Sequence, residues 1–358
     1  MNYREITLRD AIHFKNGKKR PASEGNIPVY GGNGVLGYAG ESNYEHCIII
    51  GRVGAYCGSV YLEEGKCWVS DNAIAAVPTG GNDIKFFYYL LKGLRLNERH
   101  IGTSQPLLTQ EILNKINCEV PSYPEQQRIA ELLGSLDRKI NVNQKLNDNL
   151  LAQAQTLYKQ FFPYGVQDDL PDGWRIGTVG EIIEIHDSKR IPLSGADRTK
   201  MAKKIYPYYG AASLMDFVDN YIFDGKYLLL GEDGTVVDDA GYPILQYVWG
   251  QFWVNNHAHI LTGRLGYDVE SLYMLFKQTP VKSIVTGAVQ PKISQANLRS
   301  VQVVIPPEHN LREYNDLVEP LFSLFRANEE ECKTFTALRD TLLPKLMSGE
   351  IDVSAVQL

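Results

Sequence analysis

Residues 122–140 read SYPEQQRIAELLGSLDRKI and contain the start of a long helix. Ser122 and Glu125 have the spacing of a capping box, in which the two residues satisfy unpaired backbone N–H groups of the first turn. Pro124 falls in the same turn, where a missing N–H costs nothing. We therefore predict that a helix begins at about Ser122.

Apolar residues follow this start in alternating steps of four and three, which is the spacing of a coiled-coil seam. The seam positions of this first helix are Ile129, Leu133, Leu136, Ile140, Asn143, Asn147, Leu150, Ala154, Leu157 and Phe161. The pattern stops there, so we expect the helix to end near Phe162.

The same ordered signals occur twice in the chain. Pro28 and Tyr30 match Pro207 and Tyr209 at an offset of 179, and the later signals match at 185. The later matches include Trp68 with Trp253, Gly102 with Gly287, Gln105 with Gln290 and Pro106 with Pro291. A period this long is not that of a solenoid, so each copy is expected to be a domain followed by its own helix.

The second copy also closes with a seam. Its positions are Tyr314, Val318, Leu321, Phe325, Asn328, Cys332, Phe335, Arg339, Leu342 and Leu346. Pro344 should limit the regular helix to about Leu343, before Ser348 and Gly349 stop it. Asn143 and Asn328 fall at equivalent seam positions, where they either form a buried pair that fixes the register or are solvated at a widened seam.

Two seams in one chain pack most simply on each other, and the linker decides their direction. About eleven residues between Phe162 and Trp174 span at most roughly 40 Å, whereas each helix is roughly 57 Å long. A parallel pair would need the chain to return the whole helix length, so we predict an antiparallel pair. The fold class is therefore α+β: two mixed α/β domains separated by a long antiparallel two-helix coiled coil, with pseudo-twofold internal symmetry. The predicted segments are domains at 1–121 and 163–305 and helices at 122–162 and 306–358.

Within the domains, glycine-marked turns separate short apolar and β-branched runs that predict strands. The predicted strands are Cys47–Gly51, Ser59–Leu62, Asn72–Val77, Tyr227–Gly231 and His257–Leu261. Short helices are expected at Ile84–Leu94 and Val269–Lys277. Such a scaffold is suited to recognition by surface loops.

The charge of the chain is a net −6. The net charge is +1 for residues 1–123, with 13 basic and 12 acidic residues, and +1 for residues 124–166, with 5 and 4. It is −3 for residues 167–305, with 13 basic and 16 acidic residues, and −5 for residues 306–358, with 5 and 10. A nucleic-acid binder with this balance must concentrate its basic residues on one face. The start of the chain shows no signal peptide and no apolar run is long enough to span a bilayer, so a cytosolic protein is expected.

We find no catalytic arrangement in the sequence. Gly51–Gly54 is more typical of a β-turn than of a phosphate-binding loop, because no Gly-Lys-Ser/Thr follows. His257 and His259 could ligate a metal, and Asp71, Glu232 and Asp233 could form a nuclease-like cluster, but neither pattern repeats in the other copy. Five cysteines follow no metal spacing and are expected to be reduced. We predict no metal and no catalytic residue in this chain.

Two features that do repeat suit contact with DNA: a basic turn near the start of each domain and a Gly-x-x-Gln-Pro loop before each long helix. Lysine and arginine contact phosphates, and a glutamine amide can pair with adenine. The candidate contacts are Lys18, Lys19, Arg20, Arg52, Ser104, Gln105, Lys189, Arg190, Lys204, Gln290 and Lys292. As alternatives, a basic turn is often only solvated, and the glutamines could cap the following element.

The run from Pro124 to Ile140, followed by Asn143 and Leu146, resembles the central conserved region of the specificity subunits of type I restriction-modification systems. The ending LRDTLLPKLMSGEI at 338–351 resembles the same family, and the resemblance extends over the full chain. It implies two target-recognition domains, each reading half of a split DNA site, with the helices as spacer and as docking surface for two modification subunits.

The resemblance also implies that the cofactors lie outside this chain. The modification subunits would bind S-adenosylmethionine and methylate adenine at N6, and restriction subunits would add ATP- and Mg-dependent translocation and cleavage. This chain lacks the Asn/Asp-Pro-Pro-aromatic motif of such methyltransferases, and Pro306–Glu308 is expected to be a helix entry. The alternative is a coiled-coil scaffold whose twin domains bind proteins or glycans, which a gel shift with duplex DNA would distinguish.

Overall fold

A computed structural model of the chain describes residues 3–102, 105–287 and 289–354. Up to residue 161 the helices are α1 (Leu8–Ala11), α2 (Ile84–Gly93), α3 (Gln110–Asn114) and α4 (Tyr123–Phe161). The strands are β1 (Arg4–Thr7), β2 (Ile12–Asn16), β3 (Ile27–Gly31), β4 (Gly34–Ala39), β5 (Tyr44–Gly51), β6 (Val60–Val69), β7 (Ala73–Pro78) and β8 (Asn117–Val120).

In the described residues, the rest of the chain follows this order with one helix and two strands added. Its helices are α5 (Val179–Ile182), α6 (Gly195–Lys200), α7 (Val269–Phe276), α8 (Gln295–Arg299) and α9 (Glu308–Met347). Its strands are β9 (Arg175–Thr178), β10 (Ile183–Ile185), β11 (Tyr206–Tyr209), β12 (Leu214–Val218), β13 (Phe223–Asp224), β14 (Tyr227–Gly231), β15 (Leu245–Val248), β16 (Gln251–Val254), β17 (Ala258–Gly263) and β18 (Gln302–Ile305).

The chain forms two compact units, one of residues 1–144 and 329–358 and one of residues 145–328. Each long helix therefore contributes residues to both units. The predicted α+β class, with two mixed domains and two long helices, is confirmed. Among the described residues, no helix combines the length and the hydropathy needed to cross a bilayer.

The first unit is built on a six-stranded sheet with the order β2-β7-β5-β6-β3-β4, beside the antiparallel pair β1–β8. All pairs in the large sheet are antiparallel except β3 with β6, where Val29 pairs with Trp68 and Tyr30 with Val69. A parallel bridge from Lys18 to Ser70 links the segment after β2 to the segment after β6. The sheet is thus curled, and both of its faces are covered.

Burial on both faces explains the unbroken apolar run of β5. Ile48 and Ile50 pack in the core that contains α2, whereas Cys47 and Ile49 pack in a smaller core on the other face. A strand buried on both faces needs no polar alternation.

The second unit repeats the same topology with its sheet divided in two, β10-β17-β14-β15 and β12-β11-β16-β13. The parallel register is preserved, since Tyr208 pairs with Trp253 and Tyr209 with Val254. The division falls at Trp249–Gly250, where Gly250 has a φ of +73°. The internal repeat predicted from the offsets 179 and 185 is therefore present in the strand pairing itself.

The two long helices are antiparallel in each unit. In the first unit Asp137 pairs with Arg339 at 2.7 Å, and the amide of Asn143 donates to Glu331 at 2.8 Å. Residues that come later in α4 therefore contact residues that come earlier in α9. In the second unit the hydroxyl of Tyr314 donates to the carbonyl of Ala154 at 3.2 Å. The predicted direction of the pair is confirmed.

The seam asparagines are buried, but Asn143 and Asn328 do not pair with each other. The amide of Asn328 donates to Asn147 at 2.8 Å in the second unit, and Asn143 contacts Glu331 in the first. The fully or largely buried seam positions include Ile129, Leu133, Leu136, Leu150 and Val318, whereas Ile140, Leu157, Leu321, Phe325, Phe335 and Leu342 are half-buried.

The predicted starts of the long helices hold. The carboxylate of Glu125 accepts from the backbone N–H of Ser122 at 3.0 Å, and α9 begins directly after Pro307. The expected break at Pro344 is wrong, because α9 continues to Met347. A proline in the last turn removes only one hydrogen bond. Gly349, at a φ of +75°, then ends the helix as predicted.

Candidate nucleic-acid interface

The basic turn of the first unit leaves β2 and is fixed by its backbone. Lys18 donates its N–H to the carbonyl of Val69 at 3.0 Å, and the indole N–H of Trp68 donates to the carbonyl of Lys18 at 3.1 Å. Arg20 donates to the carbonyl of Tyr38 at 2.9 Å and so holds the turn against β4. The side chains of Lys18 and Lys19 are left exposed.

Arg52 lies beside Pro106, at the described end of the Gly-x-x-Gln-Pro loop of the same unit. The backbone of Arg52 accepts from Leu108 at 2.9 Å, and Gly54 donates to the carbonyl of Pro106 at 3.0 Å. The guanidinium of Arg52 is half-buried and donates weakly to the carbonyl of Asp71 at 3.4 Å. This joins the loops after β5 and after β6 to the loop that precedes α3.

The glycine of the Gly-x-x-Gln-Pro loop has a structural role in both units. Gly102 and Gly287 have φ values of +85° and +88°, and a Cβ there would lie 2.7 and 2.3 Å from the carbonyl oxygens of Gln105 and Gln290. Only glycine fits such a turn. The glutamine side chains are exposed, while Ser104 lies outside the described residues.

The second unit joins its loops through the same backbone hydrogen bonds. Glu232 donates to the carbonyl of His257 at 2.8 Å, as Arg52 does to Asn72 at 3.0 Å. Gly234 donates to the carbonyl of Pro291 at 3.0 Å. Each unit therefore brings its basic turn, the loop after its central strand and its glutamine loop to one place.

The basic turns themselves are not superimposable. The indole N–H of Trp253 donates to the carbonyl of Ile191 at 2.6 Å. Ile191 lies two residues beyond Lys189, the counterpart of Lys18 at an offset of 171 in this part of the chain. A 3₁₀ turn at Asp187–Lys189 takes up the extra residues. As a result Lys189 is exposed, while Arg190 points inward and its side chain is only 13% exposed.

Arg190 and the other second-unit lysines have carboxylate partners. Arg190 donates to Glu232 at 2.6 Å, and Lys292 lies 3.1 Å from the same carboxylate. Lys204 lies 3.2 Å from Asp216. Of the four basic candidates in this unit, Lys189 is exposed and is not among those with a carboxylate partner.

Asp187, Glu232 and His259 place one ligand atom each within 4.8 Å of one another, an arrangement that could hold a metal. Their lone pairs already have partners, however, since Arg190 and Lys292 contact Glu232 and the amide of Gln295 donates to Asp187 at 2.6 Å. Two cations beside the site disfavour a third. His257 is not a member of this group and contacts Asp233 at 2.6 Å.

The electrostatics of these carboxyls fit ion pairing. Burial would raise the pKa of Asp187, but its hydrogen bond and charge interaction with His259 hold that pKa below its usual value. Burial acts in the same direction on Glu232, and the contacts with Arg190 and Lys292 lower its pKa. Both groups are therefore ionised partners of the neighbouring cations.

Sequence reasoning missed two repeated features. It matched Trp68 with Trp253 without recognising that their indoles anchor the basic turns. It also missed exposed apolar side chains on the hairpin strands β4 and β12, where Leu36 and Met215 cover Gly31 and Gly210. The exposed apolar residues of the two strands are Val35, Leu36, Tyr38, Leu214, Met215 and Phe217.

Comparison with known proteins gives one family. The family model described as type I restriction modification DNA specificity domain matches residues 2–152 and 171–331. The type I restriction enzyme MjaIX specificity subunit of Methanocaldococcus jannaschii is 23% identical over 319 residues, which cover 77% of this chain and 71% of that protein. The type I restriction enzyme EcoprrI specificity subunit of Escherichia coli is 33% identical over 116 residues, 32% of this chain and 29% of that protein.

A solved structure shares the fold. The crystal structure of the S subunit of a type I restriction-modification system from M. genitalium matches with a TM-score of 0.64 at 19% identity, over 97% of this chain and 96% of that one. That protein therefore shares the fold of this chain.

Proposed function

Because this chain belongs to the type I restriction modification DNA specificity family, we propose that each of its two units reads one half of a bipartite DNA site. The observation that supports the proposal is the repeated set of loops, which carries at least one exposed lysine and one exposed glutamine in each unit. Lys18 and Lys19 are exposed on the turn that is bonded to the end of β6, and Gln105 is exposed on the loop that is bonded to the segment after β5. Lys189 and Gln290 are exposed on the corresponding segments of the second unit. The chain supplies recognition, and the chemistry belongs to other subunits.

The exposed cations suit phosphates, and the exposed amides suit bases. We assign phosphate contacts to the exposed Lys18, Lys19 and Lys189 and to the half-buried Arg52. Such contacts position a protein on DNA without reading its sequence. Gln105 and Gln290 have the two-atom geometry that pairs with the major-groove edge of adenine. Arg20, Arg190 and Lys204 are assigned to holding the loops, and Lys292 to the edge of the surface.

The partners of the chain follow from the family. We propose that α4 and α9 dock two methyltransferase subunits, which bind S-adenosylmethionine and methylate adenine at N6. Where the genome encodes restriction subunits, two of them would add ATP- and Mg-dependent translocation and cleavage. The assembly would act on DNA in the cytoplasm of a prokaryotic cell.

The direct test expresses the chain with the methyltransferase subunit from its own genome in a host without adenine methylation. Sequencing of methylated bases should reveal one bipartite motif, two specific half-sites separated by unspecified base pairs. The complex should also shift a duplex that carries this motif in a gel. A contiguous motif, or no methylation by a folded complex, would contradict the proposal.

The charge assignment in the first unit predicts a specific change in DNA binding. Replacing Lys18 and Lys19 with glutamine should weaken binding about equally for all sequences, because phosphate contacts are blind to sequence. The slope of log affinity against log salt should fall by roughly 2, since about one counterion is released per contact. Fluorescence anisotropy at several salt concentrations measures both quantities.

The matched control is Lys92→Gln, which removes an exposed lysine from α2, outside the loops that carry the candidate contacts. This variant should keep the affinity and the salt slope of the wild type. If the double variant behaves like this control, Lys18 and Lys19 do not contact phosphates.

A further inference from the structure

A charged cluster lies between the turn that carries Lys189 and the loop that carries Gln290. Its members are Asp187, Arg190, Glu232, His259 and Lys292. The side chain of His259 is fully buried, and those of Asp187, Arg190 and Glu232 are at most 13% exposed. Such burial of charge is costly unless every group is paired.

Arg190 joins three loops of the unit. Its guanidinium donates to the carboxylate of Glu232 at 2.6 Å and to the carbonyl of Ala258 at 2.7 Å, and its Nε donates to the carbonyl of Asp187 at 3.1 Å. Arg190 follows Lys189 directly. Fixing Arg190 therefore fixes the backbone from which Lys189 projects.

His259 joins the turn to the glutamine loop. One ring nitrogen contacts the carboxylate of Asp187 at 2.6 Å, and the other contacts the carbonyl of Ile293 at 2.8 Å. The carbonyl of Ile293 can only accept, so the ring nitrogen that faces it donates. Lys292, in the same loop, lies 3.1 Å from the carboxylate of Glu232. Val289, three residues before Lys292, is fully exposed.

The first unit assembles the equivalent loops without this cluster. The positions of Asp187 and His259 correspond to Asn16 and Ile74, which face each other in the pairing of β2 with β7. Ile74 is fully buried in the apolar core, and the position of Glu232 corresponds to Arg52. The fold therefore does not need the charged cluster to form.

We propose that Asp187, Arg190 and His259 are positioning residues for base recognition by the second unit. The inference rests on the proposed function and extends it. Discrimination by a base-reading side chain requires a geometry held within about half an ångström. The cluster supplies this by tying Lys189, which sets the register on phosphate, to the loop of Gln290. The first unit, which lacks it, depends on backbone contacts and apolar packing for the same purpose.

The test replaces both partners at once with the residues of the first unit, Asp187→Asn together with His259→Ile. Because both members of the pair are replaced, neither is left without the other, so the fold should persist. The variant is expressed with the methyltransferase subunit, and its methylated motif is sequenced. One half of the motif should lose about tenfold or more of its discrimination against single-base changes, while the other half stays as in the wild type.

The control is Glu184→Gln, which removes an exposed charge from β10 of the same unit and should leave both halves unchanged. A folded double variant that reads the wild-type motif at wild-type stringency would overturn the inference. If the double variant fails to fold by circular dichroism, Arg190→Lys decides by the same criterion, because lysine keeps the charge but cannot make the three contacts together. A wild-type complex that methylates no bipartite motif would instead contradict the proposed function.

Discussion

At the scale of single residues, Trp68 and Trp253 show how the sheet fixes the position of the basic turns. Each indole has one N–H donor and no acceptor, and each donates a hydrogen bond to a backbone carbonyl of the basic turn. In the first unit this places the carbonyl of Lys18 over the end of β6. In the second unit the indole of Trp253 bonds to the carbonyl of Ile191, two residues beyond Lys189. Because the bonded carbonyl is two residues later in the chain, the side chain of Arg190 points inward.

Loss of this anchor should be measurable as stability. Trp68→Phe keeps most of the ring packing but removes the hydrogen bond to Lys18, so the free energy of unfolding should fall by about 1 kcal/mol. Chemical denaturation followed by circular dichroism measures it. Tyr56→Phe is the control, because Tyr56 is 57% exposed and its change should stay within about 0.5 kcal/mol. Equal unfolding midpoints for Trp68→Phe and the wild type would show that the indole bond contributes nothing.

The buried position of Arg190 shows why candidate DNA-contacting residues were harder to predict than helices. In the sequence it stands beside Lys189 in a basic turn, and nothing local separates their roles. Its partner Glu232 is 42 positions away and reaches it only through the pairing of β10, β17 and β14. Burial of one arginine and exposure of the neighbouring lysine depend on tertiary packing, which local patterns do not contain.

At the scale of elements, periodicity was the most reliable signal. The helices α2, α4 and α7 lie within two residues of the predicted bounds, and β14 matches Tyr227–Gly231 at both ends. The prediction stopped β6 at Leu62, whereas the strand continues to Val69. Glu63, Glu64 and Gly65 interrupt the apolar pattern, and the strand persists there because β5 pairs with it on both sides of a bulge.

A second charged group attaches α9 to the second domain. The buried carboxylate of Glu270, on α7, accepts from the hydroxyl of Tyr247 at 2.6 Å and pairs with Lys226 at 2.7 Å and Arg326 at 3.1 Å. Glu319 pairs with the same two cations from α9, which makes the group electrically neutral. The helix is thereby held to the loop-bearing sheet by directional contacts as well as by apolar packing.

Glu270→Ala should therefore be strongly destabilising. It leaves Lys226 and Arg326 with one carboxylate between them in a partly buried site, and breaking one side of a buried pair costs about 3 kcal/mol or more. Thermal unfolding of the assembled complex measures the loss. The control, Glu308→Ala, removes an exposed pair with Arg312 on the same helix and should cost less than about 0.5 kcal/mol. Similar losses for the two variants would contradict the assigned role of Glu270.

At the scale of the whole molecule, α4 and α9 are the elements that continue from one compact unit into the other. The change of unit falls after Gln144 in α4 and after Asn328 in α9. Buried asparagines lie on either side of these positions, with Asn143 bonded to Glu331 in one unit and Asn328 to Asn147 in the other. Polar contacts of this kind fix the register of a helix pair, because a shift would leave buried amides unpaired.

This continuity predicts that the helices set the spacing of the DNA site. Inserting seven residues after Gln144 and seven after Asn328 keeps the seam in phase and lengthens both helices by roughly 10 Å. The methylated motif should keep both half-sites but gain about three base pairs between them, at 3.4 Å per base pair. The control inserts seven residues into α4 alone, which shifts its seam against α9 and should abolish methylation. A doubly extended chain that still methylates the original motif would show that the distance between half-sites is set elsewhere, by the partner subunits or by the DNA.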